Sequence, residues 1–388
     1  MKKIINGKIL TPSPLPQGYG ILIEDDRIKQ IAPMDKLPAN IPEIDALGKW
    51  IIPGLIDTHI HGSAGADTMD HDPDAYAALS HFLASKGVTS FLPTTVTASN
   101  QDILAVIEKM LQYQQGSPGA RLLGLHLEGP YLQSQYRGAQ TIKHLRSAQP
   151  EEYLPWLESG FVKLMTVAPE INGVLELIQT GTSMGIKFAI GHSSASYETA
   201  LKAIEAGLNQ CTHTFNAMPS LHHREPGVLG AVLTDDRVYT QVIADGIHLH
   251  PTVVKLIFRL KGIEKTILIT DAIRAAGMPD GQYNLGEEPV TVENGTARTN
   301  TGALAGSTLI LKDALRNSAE FTGLAWQDLL PSATSVPAES LNIKDQIGVI
   351  QPGALADIVI MDEQLSPQLT IISGKIAFER HHHSSFTG

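Results

Sequence analysis

The sequence is poor in cysteine and in charged residues, and each shortage excludes a class of protein. Cys211 is the only cysteine among 388 residues, so an intramolecular disulfide is impossible and a reducing, cytoplasmic location is the simple expectation. Charged residues make up 18% of the chain, below the roughly 25% of an average soluble protein, while 43% of the residues are apolar. This composition excludes extensive disorder and predicts a large buried core.

Clusters of positive charge and long apolar runs are also missing. The chain carries 29 Lys and Arg against 40 Asp and Glu, a net charge of −11 without a dense basic block. This balance argues against nucleic acid or an anionic membrane surface as the main partner. No apolar run approaches the roughly 18 residues that indicate a membrane span. After Lys2 and Lys3 only Ile4 and Ile5 precede a polar break, which is too short a run for a signal peptide.

Short β-like runs at both ends of the chain predict a small β domain shared by the termini. Residues 4–5 and 21–23 form such runs near the start, and residues 358–360 and 370–378 form them near the end. We therefore expect a small β-sandwich domain built from residues 1–52 and 350–388, and a catalytic domain over residues 53–349. The run from His381 to His383 carries no fold prediction.

Between these ends, candidate strands and helices alternate. Eight apolar runs that end in polar or ionisable residues are interpreted as strands, at residues 55–59, 89–93, 122–128, 162–169, 187–192, 210–214, 239–245 and 266–271. Helix-like segments lie between several of them, at residues 74–85, 102–112, 174–184, 197–206 and 252–260. The alternation predicts an α/β fold, a TIM-like (β/α)8 barrel. In such barrels the active site lies at the C-terminal ends of the strands, where Glu128, His192, His213, Asp245 and Asp271 fall.

Five residues at or near strand ends are candidate metal ligands. His59 and His61 are two apart, so a strand directs both imidazoles to one face. Glu128 ends an apolar strand before a Gly-Pro turn, and His192 and His213 lie at the ends of two later strands. Two imidazoles and a carboxylate with an open position form the pattern of a catalytic metal site. Taken singly, each histidine also fits a buried core position or a polar strand end, and Glu128 fits a cap of local backbone N–H groups.

Asp271 and His248 are the candidates for proton transfer and carbonyl activation. Asp271 closes the last apolar strand, where a carboxylate can take a proton from an attacking water and return it to a leaving group. The alternative for Asp271 is a helix N-cap. His248 follows the seventh predicted strand and can stabilise a developing oxyanion. We prefer it to His250, which also fits a loop position before Pro251.

The segment after the sixth predicted strand suits an anion. Arg224 stands beside His222 and His223, a combination that fits phosphate or carboxylate. Backbone N–H groups near Asn216 can add donors. A solvated Arg224 paired with Glu225 is the competing interpretation.

The fourth predicted strand lacks a lysine at its end. Some metal-dependent barrels bridge two ions with a modified lysine at that position. Lys163 lies near the start of the strand, at the wrong end of the barrel. If an acidic bridge exists, Glu128 is the candidate.

Several short motifs occur in an order that points to one family. In chain order they are PGLIDTHIHG at 53–62, HLEGP at 126–130, RGAQ at 137–140, GHS at 191–193, THTFNAM at 212–218, REPG at 224–227, ADGIH at 244–248, TDA at 270–272 and LAGS at 304–307. Their combination resembles the N-acetylglucosamine-6-phosphate deacetylase family of the amidohydrolase superfamily, nearly from end to end. The resemblance implies hydrolysis of the acetamide of N-acetylglucosamine 6-phosphate to glucosamine 6-phosphate and acetate.

The resemblance also implies roles for individual residues. Glu128, His192 and His213 match the main metal ligands of the family, Asp271 matches its acid/base, and His248 matches the group on the scissile carbonyl. Positions that match substrate or phosphate contacts are Ala139, Gln140, Asn216, Ala217, Arg224, His248 and Leu304. Gln140 replaces a histidine found in some relatives, which makes its sugar contact less secure than the metal set.

Cofactor and assembly are implied in the same way. Family members have either histidines or amides at the first-strand pair, so His59 and His61 favour a site for two ions bridged by Glu128. The resemblance implies a divalent metal, zinc or iron, with one or two ions per subunit. It also implies a homodimer in which Arg224 reaches the neighbouring subunit's site. The alternatives are a deacetylase for the galactosamine epimer, a cyclic-amide hydrolase, or a catalytically silent barrel that binds sugar phosphate as a sensor or scaffold.

Overall fold

A computed structural model describes residues 1–11, 15–70, 72–113 and 119–380, so the run from His381 to His383 lies outside the described residues. Within these ranges, no helix has the length and apolar character needed to cross a membrane. The strands are, in chain order, β1 (Lys2–Ile5), β2 (Lys8–Ile9), β3 (Tyr19–Glu24), β4 (Arg27–Pro33), β5 (Glu43–Asp45), β6 (Trp50–Pro53), β7 (Leu55–Ile60), β8 (Gly62–Ser63), β9 (Ala66–Asp67), β10 (Val88–Thr95), β11 (Arg121–Leu122), β12 (Leu125–Glu128), β13 (Val162–Val167), β14 (Lys187–Ile190), β15 (Gln210–Cys211), β16 (Tyr239–Ile243), β17 (Thr266–Ile269), β18 (Gly281–Leu285), β19 (Glu288–Glu293), β20 (Thr296–Thr299), β21 (Ile358–Met361), β22 (Pro367–Ile372) and β23 (Lys375–Glu379).

The two chain ends together build two β-sheets. One sheet has the strand order β4-β3-β1-β5, and the other has the order β2-β6-β21-β22-β23. Alternate strand residues face one side, and isoleucines such as Ile4, Ile21, Ile23, Ile51 and Ile358 form a shared buried core. The prediction of a small β domain from both termini is therefore confirmed, while its boundaries at 52 and 350 stay a prediction.

The central part of the chain forms the predicted parallel barrel. β7, β10 and β12 to β17 pair in parallel, and β11 pairs with β10 just before β12. β11 and β12 therefore make up the single third strand of the prediction, interrupted at Gly124, where a Cβ would lie 2.4 Å from the Phe161 carbonyl oxygen. The ring of strands comes together where Ile60 bridges Ala272. The sixth strand, β15, is shorter than predicted because the chain turns before His213.

The helices cover the outside of the barrel. They are α1 (Pro73–Ser85), α2 (Asn100–Tyr113), α3 (Pro150–Glu158), α4 (Val174–Ser183), α5 (Tyr197–Ala206), α6 (Gly227–Thr234), α7 (Pro251–Lys261), α8 (Leu311–Thr322), α9 (Trp326–Leu329) and α10 (Ser335–Ser340). All five predicted helices are present with ends within two residues of the expectation. The sequence did not predict α6, because its residues 228–233 are all apolar or glycine and buried, and a helix without a polar face shows no 3.6-residue period.

A second difference from the prediction is a small sheet inserted after the last barrel strand. β18, β19 and β20 form an antiparallel sheet between residues 281 and 299. One face packs Leu285, Val290 and Val292 near Val96 and Ile273 at the barrel mouth, while alternate residues are exposed. Because the strands are short and half exposed, their apolar signal is weak. The sheet bears on function because Leu285 lines the cavity that contains Glu128 and Asp271.

Candidate active site

Six of the predicted side chains meet at the C-terminal end of the barrel. Each belongs to a strand or to the two residues that follow it, and all are buried: His59, His61, Glu128, His192, His213 and Asp271. Glu128 lies at the centre of the group. Its Oε1 is 3.1 Å from His192 Nε2 and 3.2 Å from His213 Nε2. The same oxygen is 3.6 Å from His59 Nε2, and Oε2 is 3.2 Å from His61 Nε2.

A left-handed backbone conformation follows three of the barrel strands. The φ angles of His192, His213 and Asp271 are 48°, 28° and 49°. Residues with a Cβ adopt this region at a cost on the order of 1–3 kcal/mol each, and such strain clusters at functional sites. In all three cases the chain leaves the strand ladder at that residue, so the turn carries the side chain across the mouth of the barrel.

The imidazole rings are held so that their Nε2 atoms converge. His61 Nδ1 lies 3.1 Å from the Thr94 carbonyl oxygen, and His192 Nδ1 lies 2.9 Å from the Tyr136 carbonyl oxygen. A carbonyl oxygen only accepts, so each Nδ1 is the protonated nitrogen. The Nε2 atoms of these two rings therefore face Glu128, and His192 Nε2 and His213 Nε2 are 3.0 Å apart.

Such an arrangement needs a positive charge among the converging atoms. Two groups of potential ligand atoms within 4.8 Å of one another share the carboxylate of Glu128: one is His59, His61 and Glu128, and the other is Glu128, His192 and His213. Imidazole nitrogen and carboxylate oxygen are ligands for zinc and for divalent iron. Nε2 of His59 is buried without a hydrogen-bond partner, which leaves its lone pair available for a cation. The residues present therefore fit a divalent metal ion, and the carboxylate of Glu128 can contact both groups.

The electrostatics of the site agree with this description. Burial raises the pKa of Glu128, but the His59 imidazole and the hydrogen bonds from His192 and His213 outweigh burial and lower that pKa well below its usual range. Burial lowers the pKa of His61, but hydrogen bonds to Asp271 and Glu128 outweigh it and raise that pKa well above its usual value. The carboxylates are thus ionised and their environment favours positive charge.

Asp271 contacts the metal-ligand candidates directly. Its Oδ1 is 3.1 Å from His61 Nε2 and 3.3 Å from His59 Nε2. Burial raises the pKa of Asp271, whereas the neighbouring imidazoles of His59 and His61 lower it more, so the carboxylate is ionised. The residue does not cap a helix, since Ala272 continues into a bridge with Ser307. Asp271 therefore lies, as an ionised carboxylate, against the metal-ligand candidates, and its acid/base role stays a prediction.

His248 stands at the rim of the same cavity, and its ring is oriented by an acid. Its Nδ1 donates to Asp245 Oδ2 at 2.6 Å, and its backbone N–H donates to Asp245 Oδ1 at 2.8 Å. Burial raises the pKa of Asp245, but the hydrogen bond from His248 outweighs it and lowers that pKa. His250 is instead the N-cap of α7, where its Nδ1 accepts from the Thr252 N–H at 3.2 Å. His248 therefore lines the cavity, whereas His250 lies outside it at the start of α7.

A cavity of about 220 Å³ opens over these groups. Predicted site residues that line it are His61, Glu128, Ala139, Gln140, His192, His213, Asn216, Ala217, His248, Asp271 and Leu304. Gln140 is tied to the metal-ligand candidates, because its Nε2 donates to Glu128 Oε2 at 2.6 Å and its Oε1 accepts from the Thr97 N–H at 2.7 Å. His59 is fully buried and does not line the cavity. Sugar contacts of the lining residues stay a prediction.

Arg224 is the one predicted site residue that the structure places on the exposed surface. It does not line the cavity, and its guanidinium contacts the His223 imidazole at 2.6 Å. Asn216, by contrast, lines the cavity and its Nδ2 donates to the His213 carbonyl oxygen at 3.2 Å. The phosphate role of Arg224 stays a prediction.

The sequence interpretation missed side chains that support the site from behind. Gln241 Oε1 lies 3.1 Å from His59 Nδ1, and His126 Nε2 lies 2.7 Å from Thr166 Oγ1 beneath the histidine cluster. The signal that could have identified Gln241 is a polar residue within a largely apolar strand. A buried amide in the middle of a barrel strand is costly unless it is bonded, which would have singled out Gln241.

Comparisons with known proteins agree with the geometry. The profile of the Amidohydrolase family matches residues 50–377, and the profile described as the NagA composite domain matches residues 1–51. The chain is 40% identical over 371 residues to the N-acetylglucosamine-6-phosphate deacetylase of Bacillus subtilis (strain 168), covering 94% of this chain and 93% of that protein. It is 39% identical over 351 residues to the N-acetylgalactosamine-6-phosphate deacetylase of Escherichia coli O157:H7, covering 89% and 92%.

Solved structures show the same similarity. The N-acetylglucosamine-6-phosphate deacetylase from Pasteurella multocida superposes with a TM-score of 0.92 at 28% identity, covering 97% of this chain and 99% of that one. A mutant of the Mycobacterium smegmatis enzyme, solved in complex with N-acetyl-D-glucosamine-6-phosphate, superposes with a TM-score of 0.87 at 30% identity, covering 97% and 99%. The chain therefore belongs to the amidohydrolase family and, within it, to the N-acetylglucosamine-6-phosphate deacetylase family.

Proposed function

We propose that this protein is a metal-dependent hydrolase that removes the acetyl group from N-acetyl-D-glucosamine 6-phosphate, giving D-glucosamine 6-phosphate and acetate. One observation carries the proposal: four imidazole Nε2 atoms surround the buried carboxylate of Glu128, which lines a cavity together with Asp271 and His248. This arrangement contains a metal-ligand set, an acid/base and a carbonyl-activating group, which together are what amide hydrolysis requires. The similarity to named deacetylases supports the substrate.

The metal would be held by two overlapping groups of residues. Glu128, His192 and His213 hold one divalent ion, and His59 and His61 with Glu128 offer a place for a second, so the chain binds one or two ions of zinc or iron. A bound divalent ion lowers the pKa of water from 15.7 to about 7 and polarises a carbonyl oxygen, which supplies the nucleophile at neutral pH. The ionised Glu128 and the convergence of four Nε2 atoms on its carboxylate support this assignment.

The chain's own residues move the protons. Asp271 accepts a proton from the attacking water and then donates it to the nitrogen of the departing amine, so one carboxylate acts first as base and then as acid. His248 donates a hydrogen bond from Nε2 to the acetyl oxygen as negative charge develops there. Asp245 Oδ2, 2.6 Å from Nδ1, fixes the orientation of the His248 ring at the rim of the cavity. Both groups line one cavity, so a single bound acetamide can reach them.

We assign substrate binding to residues that line the cavity and to the guanidinium group of Arg224, which lies outside the cavity. Ala139, Gln140, Leu304, Asn216 and Ala217 contact the sugar in this proposal, and all of them line the cavity. Arg224 contacts the phosphate of substrate bound to the neighbouring subunit of a homodimer. Its exposed position, away from the cavity of its own chain, supports donation across an interface.

Location and domain boundaries complete the proposal. The single cysteine is buried, and burial raises its pKa to about 12, so Cys211 is an inert thiol compatible with a cytoplasmic enzyme. We place the small β domain at residues 1–52 and 350–388 and the catalytic barrel at 53–349. The match of one family profile to residues 1–51 and another to 50–377 supports a boundary near residue 52.

Acetate release is the direct test of this function. We expect metal-loaded protein to release acetate from N-acetylglucosamine 6-phosphate faster than from the galactosamine epimer or unphosphorylated N-acetylglucosamine, and protein treated with a chelator to release none. Restoring zinc or ferrous iron to the chelated protein is the control for damage by the chelator. Absence of acetate from every substrate, with metal measured in the protein, would contradict the proposal.

The galactosamine epimer is the second candidate substrate. The 39% identity to the Escherichia coli O157:H7 protein named for that substrate is nearly equal to the 40% identity to the Bacillus subtilis protein. The two sugars differ at one hydroxyl group, which neither the metal ligands nor Asp271 contacts in the proposed reaction. A higher kcat/KM for the galactosamine substrate would assign the protein to it while leaving the catalytic groups unchanged.

Replacing Arg224 tests the phosphate assignment. We expect Arg224→Gln to lower kcat/KM for the phosphorylated substrate roughly 10–100-fold, mainly through KM, because a charge-assisted hydrogen bond contributes about 1.5–3 kcal/mol. Activity on unphosphorylated N-acetylglucosamine should stay the same. Arg259→Gln, at an exposed position of α7, is the matched control. An equal loss on both sugars would refute the phosphate role.

A further inference from the structure

A line of buried polar side chains runs through the barrel interior and ends at His59. His59 Nδ1 lies 3.1 Å from Gln241 Oε1, and Gln241 Nε2 donates to Gln210 Oε1 at 3.0 Å. Gln210 Nε2 donates to Ser340 Oγ at 3.3 Å, and the Ser340 hydroxyl donates to the Pro337 carbonyl oxygen at 2.8 Å. The four side chains are buried. They connect α10 to a residue of the candidate metal site.

Amides are unusual at these positions. The interior of a parallel barrel is filled mainly by Val, Ile and Leu, and a buried amide without partners costs several kcal/mol. Gln241 in β16 and Gln210 in β15 are both inside, yet each amide has its oxygen and its nitrogen bonded within this line. A fully bonded polar network of this kind rigidifies the groups that it contains.

The Pro337 carbonyl oxygen, at the end of the line opposite His59, determines which atom donates and which accepts in every hydrogen bond of the line. The Pro337 carbonyl oxygen can only accept, so the Ser340 hydroxyl donates to it and its oxygen accepts from Gln210. Gln210 must then turn its nitrogen toward Ser340 and its oxygen toward Gln241. Gln241 in turn points its oxygen at His59, which requires the proton of His59 to be on Nδ1.

His59 differs in this respect from its neighbours. His61 and His192 are oriented by backbone carbonyl oxygens, which have no alternative to accepting. The partner of His59 is a side-chain amide, which can present either an oxygen or an NH2 group. If the amide were reversed, Nδ1 would have to accept, the proton would move to Nε2, and the lone pair facing Glu128 would be lost.

We propose that Gln241, Gln210 and Ser340 are positioning residues that hold His59 in the Nδ1-protonated form, and so prepare the His59, His61 and Glu128 group for a divalent cation. None of the three touches the substrate cavity, and their effect passes through His59. The inference rests on the proposed function in one respect, which is that the His59, His61 and Glu128 group binds a metal ion. The orientation of the ring is a separate property that can be measured without metal.

Zinc binding by the full-length protein is the first test. In competition with a chromophoric chelator, Gln241→Leu should weaken the zinc affinity of the His59, His61 and Glu128 group roughly 10–100-fold, as loss of an outer partner of a ligating histidine typically does. Gln241→Glu restores an acceptor for Nδ1 and should bring the affinity back. Thr240 neighbours Gln241 on β16, and Thr240→Val removes its hydrogen bond to the Lys265 carbonyl oxygen. This variant is the matched control and should bind zinc like the wild type.

Histidine-selective 15N NMR of the metal-free protein at alkaline pH is the second test. We expect His59, assigned by comparison with His59→Gln, to be Nδ1-protonated in the wild type and in Gln241→Glu, and to show the Nε2-protonated form in Gln241→Leu. A wild-type tautomer together with wild-type zinc affinity in Gln241→Leu would overturn the proposal, as would an equal zinc loss in Thr240→Val. Acetate release is measured separately, so failure of the deacetylase assignment would leave both readouts decisive for the positioning role.

Discussion

Replacing Asp271 with asparagine is expected to lower kcat for acetate release by roughly 10²–10⁴-fold, the range typical for loss of a general acid/base. Asparagine cannot take the proton of the attacking water or deliver one to the departing amine. Because Asp271 serves both transfers, we expect the loss to fall on kcat, with KM nearly unchanged. Steady-state kinetics with N-acetylglucosamine 6-phosphate measure both constants.

Asparagine is the appropriate replacement for structural reasons. Asp271 has a φ of 49°, a region in which asparagine is tolerated better than most residues with a Cβ. Its oxygen also keeps the size and place of the one that lies 3.1 Å from His61 Nε2. The variant should therefore retain its metal, which elemental analysis of the dialysed protein checks. Asp236→Asn, at an exposed position, is the control, and turnover by Asp271→Asn at the wild-type rate would rule out the proposed role.

His248→Ala is expected to reduce kcat by about 10²–10³-fold, the usual effect of removing one donor to a developing oxyanion. The expectation rests on the bond of Nδ1 to Asp245, which holds the ring in place at the rim of the cavity. Metal content should be unchanged, because His248 is not among the residues that could hold an ion. Comparing kcat with metal content separates loss of the donor from loss of the metal.

His250→Ala provides the matched control for that variant. His250 is an exposed N-cap of α7 two residues away, so its loss should reduce the free energy of unfolding by about 0.5–2 kcal/mol and leave kcat unchanged. Kinetics should therefore show a lower kcat only for His248→Ala, and chemical denaturation should show a lower free energy of unfolding for His250→Ala. An unchanged kcat in His248→Ala, or an equal fall of kcat in both variants, would assign His248 to another role.

The strands and ligand candidates were accessible to sequence analysis for local reasons. Apolar runs ending in Glu128, His192 or Asp271 identify parallel strands with polar C-terminal ends, and parallel strands in a barrel place those ends on one face. The two-residue spacing of His59 and His61 needs no tertiary information, because a strand directs alternate side chains to one side. Five helices were found in the same way, whereas α8 was not predicted although it also has one buried and one exposed face.

Other features depend on contacts between distant parts of the chain and were not predicted. α6 is buried on all sides, so its helical period is hidden, and β18 to β20 are half exposed strands with a weak apolar signal. The role of Gln140 in bonding Glu128 and Thr97 also follows only from the folded loop. In each case the structure of the segment depends on contacts with residues that are distant in the sequence.

Residue types and their spacing by themselves predicted a barrel whose C-terminal end gathers potential metal ligands and a candidate acid/base, because periodicity and donor chemistry are properties of short segments. Only the tertiary structure decided which oxygen of Glu128 faces which histidine, and that Arg224 lies outside the cavity of its own chain. It also decided that Gln241, which is 182 residues away in the sequence, is the partner of His59 Nδ1. Distances and proton positions depend on packing between strands, and no local pattern records that packing.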